Sequence, residues 1–336
     1  MDLERSGNVM ILAETAENGA PTAISLELLG LGRDLAAGLG AGLSAVILGS
    51  GTGDAARELA ARGADEVIRL EHASLSSYNP ELYQEAMLGL LQASAPRVLL
   101  AGHTAMGQDL LPRLAFSLSC GLVTDCVGTR VEDGQVLFVR PVYGGNALAT
   151  QRVTTATAMA TVRARVGEAK APSATPGEVK VMEASVTTPA RLVLKGRETL
   201  EDRECPLEEA PVVVSGGRGM GGEEGFALLR ELAALLGGAV GASRPPVDSG
   251  WAPSTCQVGI TGKVVAPDIY IAVAISGSTQ HLSGMSEAGK IVAINKDPDA
   301  YIFKVSDYGV VGDWKQVLPA FTAALRETAP EQGGAR

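Results

Sequence analysis

Three polar or glycine-rich stretches, each directly behind an apolar run, are where this chain could do chemistry. VVVSGGRGMGG (212–222) sets glycines between a buried run and a helical one, with Arg218 and Gly219 at the centre. Glycine lets backbone N–H groups approach a phosphate closely, and a helix start presents the positive end of its dipole. The stretch lacks both the GxGxxG register and the Walker lysine, and a strand-to-helix turn also uses glycine for steric reasons alone. AISGSTQHLSGM (274–285) follows the apolar IYIAVAI and carries Ser276, Gly277, Ser278, Thr279, Gln280 and His281, one of only 3 histidines in the chain. AINKDP (293–298) follows a third apolar run, with Asn295 at its tip. Ligands of open α/β sheets bind at the carboxyl ends of the strands, so three polar strand ends imply one extended ligand of dinucleotide size.

Each of these residues also has a local explanation. A lone histidine such as His281 serves as a hydrogen-bonder at a helix start, and Arg218 and Arg244 suit surface ion pairs. Asp313 suits an N-cap before Trp314, and Ser243 and Thr261 suit local backbone contacts. Joint placement favours a site, because independent accidents rarely bring Arg, Ser, Thr, Gln, His and Asn together at strand ends.

The elements that must position these loops follow from periodicity. Short apolar runs at 9–13, 43–48, 66–70 and 97–101 alternate with helical spacing at 24–39, 53–61, 80–93 and 108–118, which predicts a parallel sheet covered on both faces. Asn79-Pro80 reads as an N-cap followed by proline at the first helical position. Runs at 136–140 and 158–166 read as later strands. GRETLEDRECPLEEA (196–210) is charged, poor in periodic apolar residues and marks a linker, so the expected division is a domain over 1–195 and a second over 211–330. In the second domain strands are expected at 212–214, 269–275 and 291–294, with Phe226, Leu229, Leu232, Ala233 and Leu236 on one helical face. The fold class is α/β, with two parallel-sheet α/β domains and a Rossmann-like arrangement in the C-terminal one.

Composition excludes several function classes. A net charge of -10 with no basic cluster argues against nucleic acid. Cys120, Cys126, Cys205 and Cys256 show no CxxC spacing, so neither a zinc site nor a dithiol motif is expected. No run reaches the ~18 apolar residues of a membrane span, and the N-terminus does not read as a signal peptide. A cytoplasmic chain without membrane insertion is expected.

The motifs resemble a known family. VVVSGGRG (212–219), AVGASRPPVDSGW (239–251), QVGITGKVVAPDIYIAVAISGSTQHLSGM (257–285) and VAINKDPDAYIFKVSDYGVVGD (292–313) are similar to the α subunit of electron transfer flavoproteins. GHTAMGQDLLPRLAFSL (102–118), Thr124-Asp125 and RPVYGGNA (140–147) resemble the same subunit more loosely. The resemblance implies FAD held mainly by the second domain, in a heterodimer whose β subunit packs on the first domain and completes the site. It implies that Arg218 with its neighbour Gly219, Ser276, Gly277, Asn295 and Asp313 lie along the diphosphate and adenosine. Ser243, Arg244, Gln257, Thr261, Gln280 and His281 would then surround the flavin and ribityl end, with Val258, Gly259, Ile260, Ser278, Thr279 and Trp314 as further cofactor-binding positions. Where the family has VGQTG this chain has VGITG, so Ile260 offers no side-chain amide.

A flavin that accepts an electron gains negative charge over N1 and C2=O, which a cation or an N–H donor stabilises, and His281 and Arg244 are suited to that. Thr261 can hydrogen-bond flavin N5. Such charge-assisted contacts contribute roughly 1.5 to 3 kcal/mol each, and about 59 mV corresponds to 1.4 kcal/mol for a one-electron couple. The resemblance implies an electron carrier between acyl-CoA or other dehydrogenases and a membrane quinone reductase or ferredoxin/flavodoxin. PPVDSGW (245–251) and VVGD (310–313) lean toward family members that bifurcate electrons from NADH. Glycine loops of this kind also serve NAD(P)-binding α/β oxidoreductases and nucleotide-sensing modules, and both remain open on the residues alone.

Overall fold

A computed structural model describes residues 7–145, 147–173, 175–187, 189–196, 207–208 and 210–328. Strand and helix alternate from the start: β1 (Val9–Ala13), α1 (Ala23–Leu39), β2 (Leu43–Gly49), α2 (Gly53–Ala61), β3 (Glu66–Glu71), α3 (Pro80–Ser94), β4 (Val98–Gly102) and α4 (Ala105–Ser117). Every residue of β1, β2 and β4 is buried, which is why these strands read as unbroken apolar runs. The Asn79 side chain accepts from the N–H groups of Glu81 and Leu82, and Pro80 opens α3.

Next come β5 (Gly121–Cys126), β6 (Gly128–Glu132), β7 (Gln135–Val142), β8 (Ala147–Arg152), β9 (Ala158–Val162) and β10 (Glu178–Glu183). Seven of these strands pair in parallel in the order β10-β3-β2-β1-β4-β9-β5. One hydrophobic cluster around Ile11, Leu29, Leu59 and Phe138 packs on one set of side chains, and a second around Leu12, Leu70, Met87 and Leu111 on the other.

The run at 136–140 is a strand, as expected, and lies in β7, the centre of a separate antiparallel meander of β6, β7 and β8. One expectation for this half is corrected. The strand expected over 158–166 stops at Val162, where Arg163 turns aside to form two hydrogen bonds with the Asp125 carboxylate, at 2.5 and 2.9 Å.

The chain divides into two units, Met1–Val142 with Ala147–Glu198, and Tyr143–Asn146 with Thr199–Arg336. The stretch 196–210 lies mostly outside the described residues, as does Cys205.

The second unit contains β11 (Val212–Gly216), α5 (Glu223–Leu235), β12 (Ala239–Ala242), α6 (Arg244–Asp248), β13 (Ile269–Val273), α7 (Thr279–Leu282), β14 (Lys290–Asn295), β15 (Tyr308–Val311) and α8 (Trp314–Thr328). Its five strands are all parallel, in the order β12-β11-β13-β14-β15. Counted within the unit this order is 2-1-3-4-5, and it reverses between β11 and β13 to leave a crevice at their carboxyl ends. Phe226, Leu229, Leu232 and Ala233 of α5 and Leu318 of α8 pack on one face of the sheet. Val258, Val265, Met285 and Ile302 cover the other. The strand expected over 269–275 ends at Val273 because Ala274 adopts φ 53, a left-handed conformation that no strand continues.

Candidate functional site

Five parallel strands put five loops on one edge of the second unit. β11 ends at Gly216 and β12 at Ala242, and the Ser243 N–H donates to the Gly216 carbonyl at 3.0 Å, which draws the two ends together. Backbone crowding then explains the glycines. A Cβ on Gly217 would stand 2.1 Å from the Ala274 carbonyl oxygen, and one on Gly219 would stand 2.9 Å from the Ala274 methyl. Gly277 has φ 83, and a Cβ there would meet Ile302 N at 2.4 Å. These loops are threaded so closely that only glycine fits.

A cleft of about 200 Å³ opens on this edge, lined by Gly219, Met220, Gly221, Ala274, Asn295 and Lys296 and, on the far side, by Gly312, Asp313, Trp314 and Lys315. It brings together four of the residues expected from sequence: Gly219, Asn295, Asp313 and Trp314. Trp314 is held by its indole N–H, which donates to the Gly219 carbonyl at 3.0 Å. The Asn295 amide donates to the Ile275 carbonyl at 2.9 Å while its Oδ1 accepts from Asp297 N–H at 3.0 Å, so this side chain ties the end of β14 to the loop after β13. Asp313 precedes α8, and its Oδ1 accepts from Lys315 N–H at 3.0 Å. Lys296 and Lys315 were not anticipated as site residues. Each stands within two positions of one that was, and two ammonium groups beside the start of a 15-residue helix make the cleft attractive to an anion. Arg218 is exposed and opens the short turn Arg218–Met220.

A second group forms around α7. Gln257 Nε2 donates to Thr261 Oγ1 at 3.0 Å, and the N–H of Ile260 donates to the Gln280 carbonyl at 2.8 Å. Val258 N–H donates to the Ala242 carbonyl at 2.9 Å, and Gly259 N–H to the Lys263 carbonyl at 3.1 Å. The turn that bears Gln257, Gly259, Ile260 and Thr261 is thus stitched to the end of β12 and to α7. Ser276, Ser278, Thr279 and Gln280 are exposed, as is Ile260 at 62 %. Ser243 is buried and precedes α6 without capping it through its side chain. Arg244 is exposed and pairs with Asp248, Nε to Oδ2, at 3.2 Å.

His281 is turned inward. Its ring is 4 % exposed, with Nε2 3.0 Å from the Tyr270 hydroxyl and Nδ1 3.1 Å from the Val258 carbonyl oxygen. Burial pushes its pKa down to about 4, with the Val258 carbonyl opposing that shift. The imidazole is therefore neutral at neutral pH, so of the two roles expected for it, cation or N–H donor, that of a cation is closed to it.

In the first unit, His103 Nδ1 lies 2.8 Å from Thr161 Oγ1 and its Nε2 lies 3.8 Å from the Asp125 carboxylate that Arg163 clamps. Among the described residues no cluster of His, Cys, Asp and Glu is arranged to hold a metal ion. Among the described residues no helix is long and apolar enough to cross a membrane.

A doubly wound parallel sheet whose strand ends carry crowded glycines and a basic cleft defines a dinucleotide-binding α/β protein, and comparison with known proteins identifies the family. The chain matches the electron transfer flavoprotein domain over residues 9–187 and the electron transfer flavoprotein FAD-binding domain over residues 206–286. It is 40% identical over 328 residues to an electron transfer flavoprotein subunit alpha of Thermoanaerobacterium thermosaccharolyticum, covering 95% of this chain and 98% of that one. It is 42% identical over 337 residues to the corresponding subunit of Megasphaera elsdenii, covering 97% and 98%. A protein FixB of Bradyrhizobium diazoefficiens is 41% identical over 318 residues, covering 92% and 86%. The chain belongs to the electron transfer flavoprotein family, on the alpha-subunit side, and its cofactor is FAD.

Proposed function

We propose that this chain holds FAD along the carboxyl edge of the β11–β15 sheet and serves as the electron-carrying α subunit of a heterodimer with a β subunit. The observation that carries this reading is the carboxyl edge of the parallel sheet, where the ends of β11, β13, β14 and β15 line one cleft and where Gly217, Gly219 and Gly277 of the same edge leave no room for a Cβ. At about 200 Å³ the cleft falls below the ~300–1000 Å³ usual for a whole ligand, so it suits one part of a dinucleotide, with the rest along the open edge. Arg218, Gly219, Ser276, Asn295 and Asp313 would hold the diphosphate and adenosine, with Lys296 and Lys315 balancing phosphate charge. Ser243, Arg244, the 257–261 turn and α7 would hold the ribityl and flavin end. Bound FAD supplies an isoalloxazine that takes up and releases electrons singly or in pairs.

The protein groups orient that ring. Because Thr261 Oγ1 already accepts from Gln257, its own proton is left to donate outward, to an acceptor such as flavin N5. Arg244 is the cation of this wall, and His281 is a neutral buried spacer behind it.

Electrons arrive in this reading from an acyl-CoA or other dehydrogenase and leave to a membrane quinone reductase or to ferredoxin or flavodoxin, in the cytoplasm. NADH-linked bifurcation is included on the strength of PPVDSGW (245–251) and VVGD (310–313). The test is optical. The chain copurified with its β subunit should show flavin absorbance that a reductant bleaches, and a colourless complex that FAD cannot reconstitute refutes the reading. Counting flavins per heterodimer, with and without NADH, separates a single-flavin carrier from a bifurcating pair.

A further inference from the structure

Tyr270 is the second residue of β13, its side chain fully buried, and its hydroxyl reaches a side chain of the site loops: His281 Nε2, 3.0 Å away. The two rings meet edge to face, with centroids 6.1 Å apart and planes at 60°. On the other side of the imidazole, Nδ1 lies 3.1 Å from the Val258 carbonyl oxygen. A carbonyl oxygen only accepts, so the ring proton is on Nδ1. Nε2 is then a bare lone pair, and the Tyr270 O–H donates to it. Burial holds the Tyr270 hydroxyl above its ordinary range, so this proton stays available.

The chain of bonds continues outward. Val258 is the first residue of the turn that presents Ile260 and Thr261, and the Ile260 N–H is bonded to the Gln280 carbonyl, one residue before His281. Two hydrogen bonds therefore close this turn onto α7, and one of them depends on how the imidazole is held. We propose that Tyr270 is a positioning residue of the flavin-facing wall: by donating to His281 Nε2 it keeps the Nδ1–H on the Val258 carbonyl and so sets where Thr261 and Gln280 stand. The proposal rests on the FAD reading for its function and on this relay alone for its geometry.

The Y270F substitution keeps the ring and deletes the donor, leaving a buried lone pair unmet. In the full-length chain copurified with its partner subunit, Y270F should weaken FAD binding about tenfold, the scale of one lost buried hydrogen bond. Nitrogen NMR of His281 should show Nδ1 protonated in the wild type, with the Nε2 resonance moving toward that of a lone pair without a donor in Y270F. The Ile260 amide should exchange faster while the Val214 amide in β11 does not. H281N carries an amide that can donate to the Val258 carbonyl without help from Tyr270. It should recover most of the affinity that H281A loses, and adding Y270F to H281N should cost far less than about tenfold, a non-additive cycle. Additive effects, or wild-type affinity in a Y270F protein whose His281 resonance has moved, overturn the proposal. If Y270F fails to fold, the comparison of H281N with H281A decides, and equal losses overturn it. A wild-type protein that takes up no FAD defeats the cofactor reading, and the exchange of Ile260 then decides on Tyr270 by itself.

Discussion

Ala274 sits where β13 gives way to the site loops, with φ 53. Its carbonyl oxygen and methyl are the atoms that crowd Gly217 and Gly219, so the left-handed turn brings the loop after β13 against the loop after β11. An L-residue in this conformation is strained by roughly 1–2 kcal/mol. Replacement by glycine removes that strain but gives the unfolded chain more freedom, which opposes it by about 0.4–1 kcal/mol. Taking the middle of each range, A274G should stabilise the second unit by about 0.8 kcal/mol, which for a fold of this size raises the melting midpoint by roughly 2–3 °C. Both tryptophans of the chain, Trp251 and Trp314, lie in the second unit, so their fluorescence follows its unfolding. Thermal and urea transitions of wild type and A274G, measured without FAD, provide the assay. A midpoint that is unchanged or lower would mean that the methyl contributes packing equal to the strain, and the argument from backbone conformation fails.

Other perturbations probe the same edge. G277A places a Cβ 2.4 Å from Ile302 N at φ 83, so FAD binding measured by fluorescence quenching should be lost, whereas G222A, which meets nothing within 4 Å, should bind as wild type. Neutralising the cleft with K296Q and K315Q should weaken FAD binding by about five- to tenfold each and flatten its salt dependence; no change would remove both from the diphosphate. His281 links stability to acid. Its folded pKa of about 4 lies below the ordinary 6.5, so the unfolded chain takes up the proton first. Stability is therefore full above about pH 6.5 and falls as pH drops toward 4, by about 2 kcal/mol between pH 7 and pH 5. Urea midpoints across that range should show the decline in wild type and lose most of it in H281N; an equal decline in both would place the acid sensitivity elsewhere.

What the sequence made legible follows burial. β1, β2, β4 and β13 are buried along almost their whole length, and as continuous apolar runs they could be read without ambiguity. β15 is exposed at all four positions and β10 has only exposed and half-buried residues, so neither left a buried apolar run to detect. The meander of β6, β7 and β8 is mostly exposed or half-buried, and apolar spacing alone did not distinguish its central strand from one more parallel strand. Loop positions were legible for a related reason: a strand end followed by glycine and polar residues must face the carboxyl edge of a parallel sheet.

The direction of a side chain within such a loop was not legible, and His281 shows why. The pattern SGSTQH fixes its place after β13, but whether the ring turns outward to a ligand or inward to the core depends on what waits in each direction. Tyr270 is eleven positions earlier and Val258 twenty-three, and neither carries a polar signal in its own strand or turn. Once Tyr270 offers a hydroxyl from inside the sheet and Val258 a carbonyl beside it, the inward rotamer satisfies both ring nitrogens, at the expense of a charge that burial would not tolerate. A histidine read from sequence as a cation or N–H donor toward a ligand is therefore held neutral in the core, with both ring nitrogens engaged. In the proposed site the positive field at the flavin end then falls to Arg244, which is exposed, paired with Asp248, and so able to turn toward charge that develops in front of it.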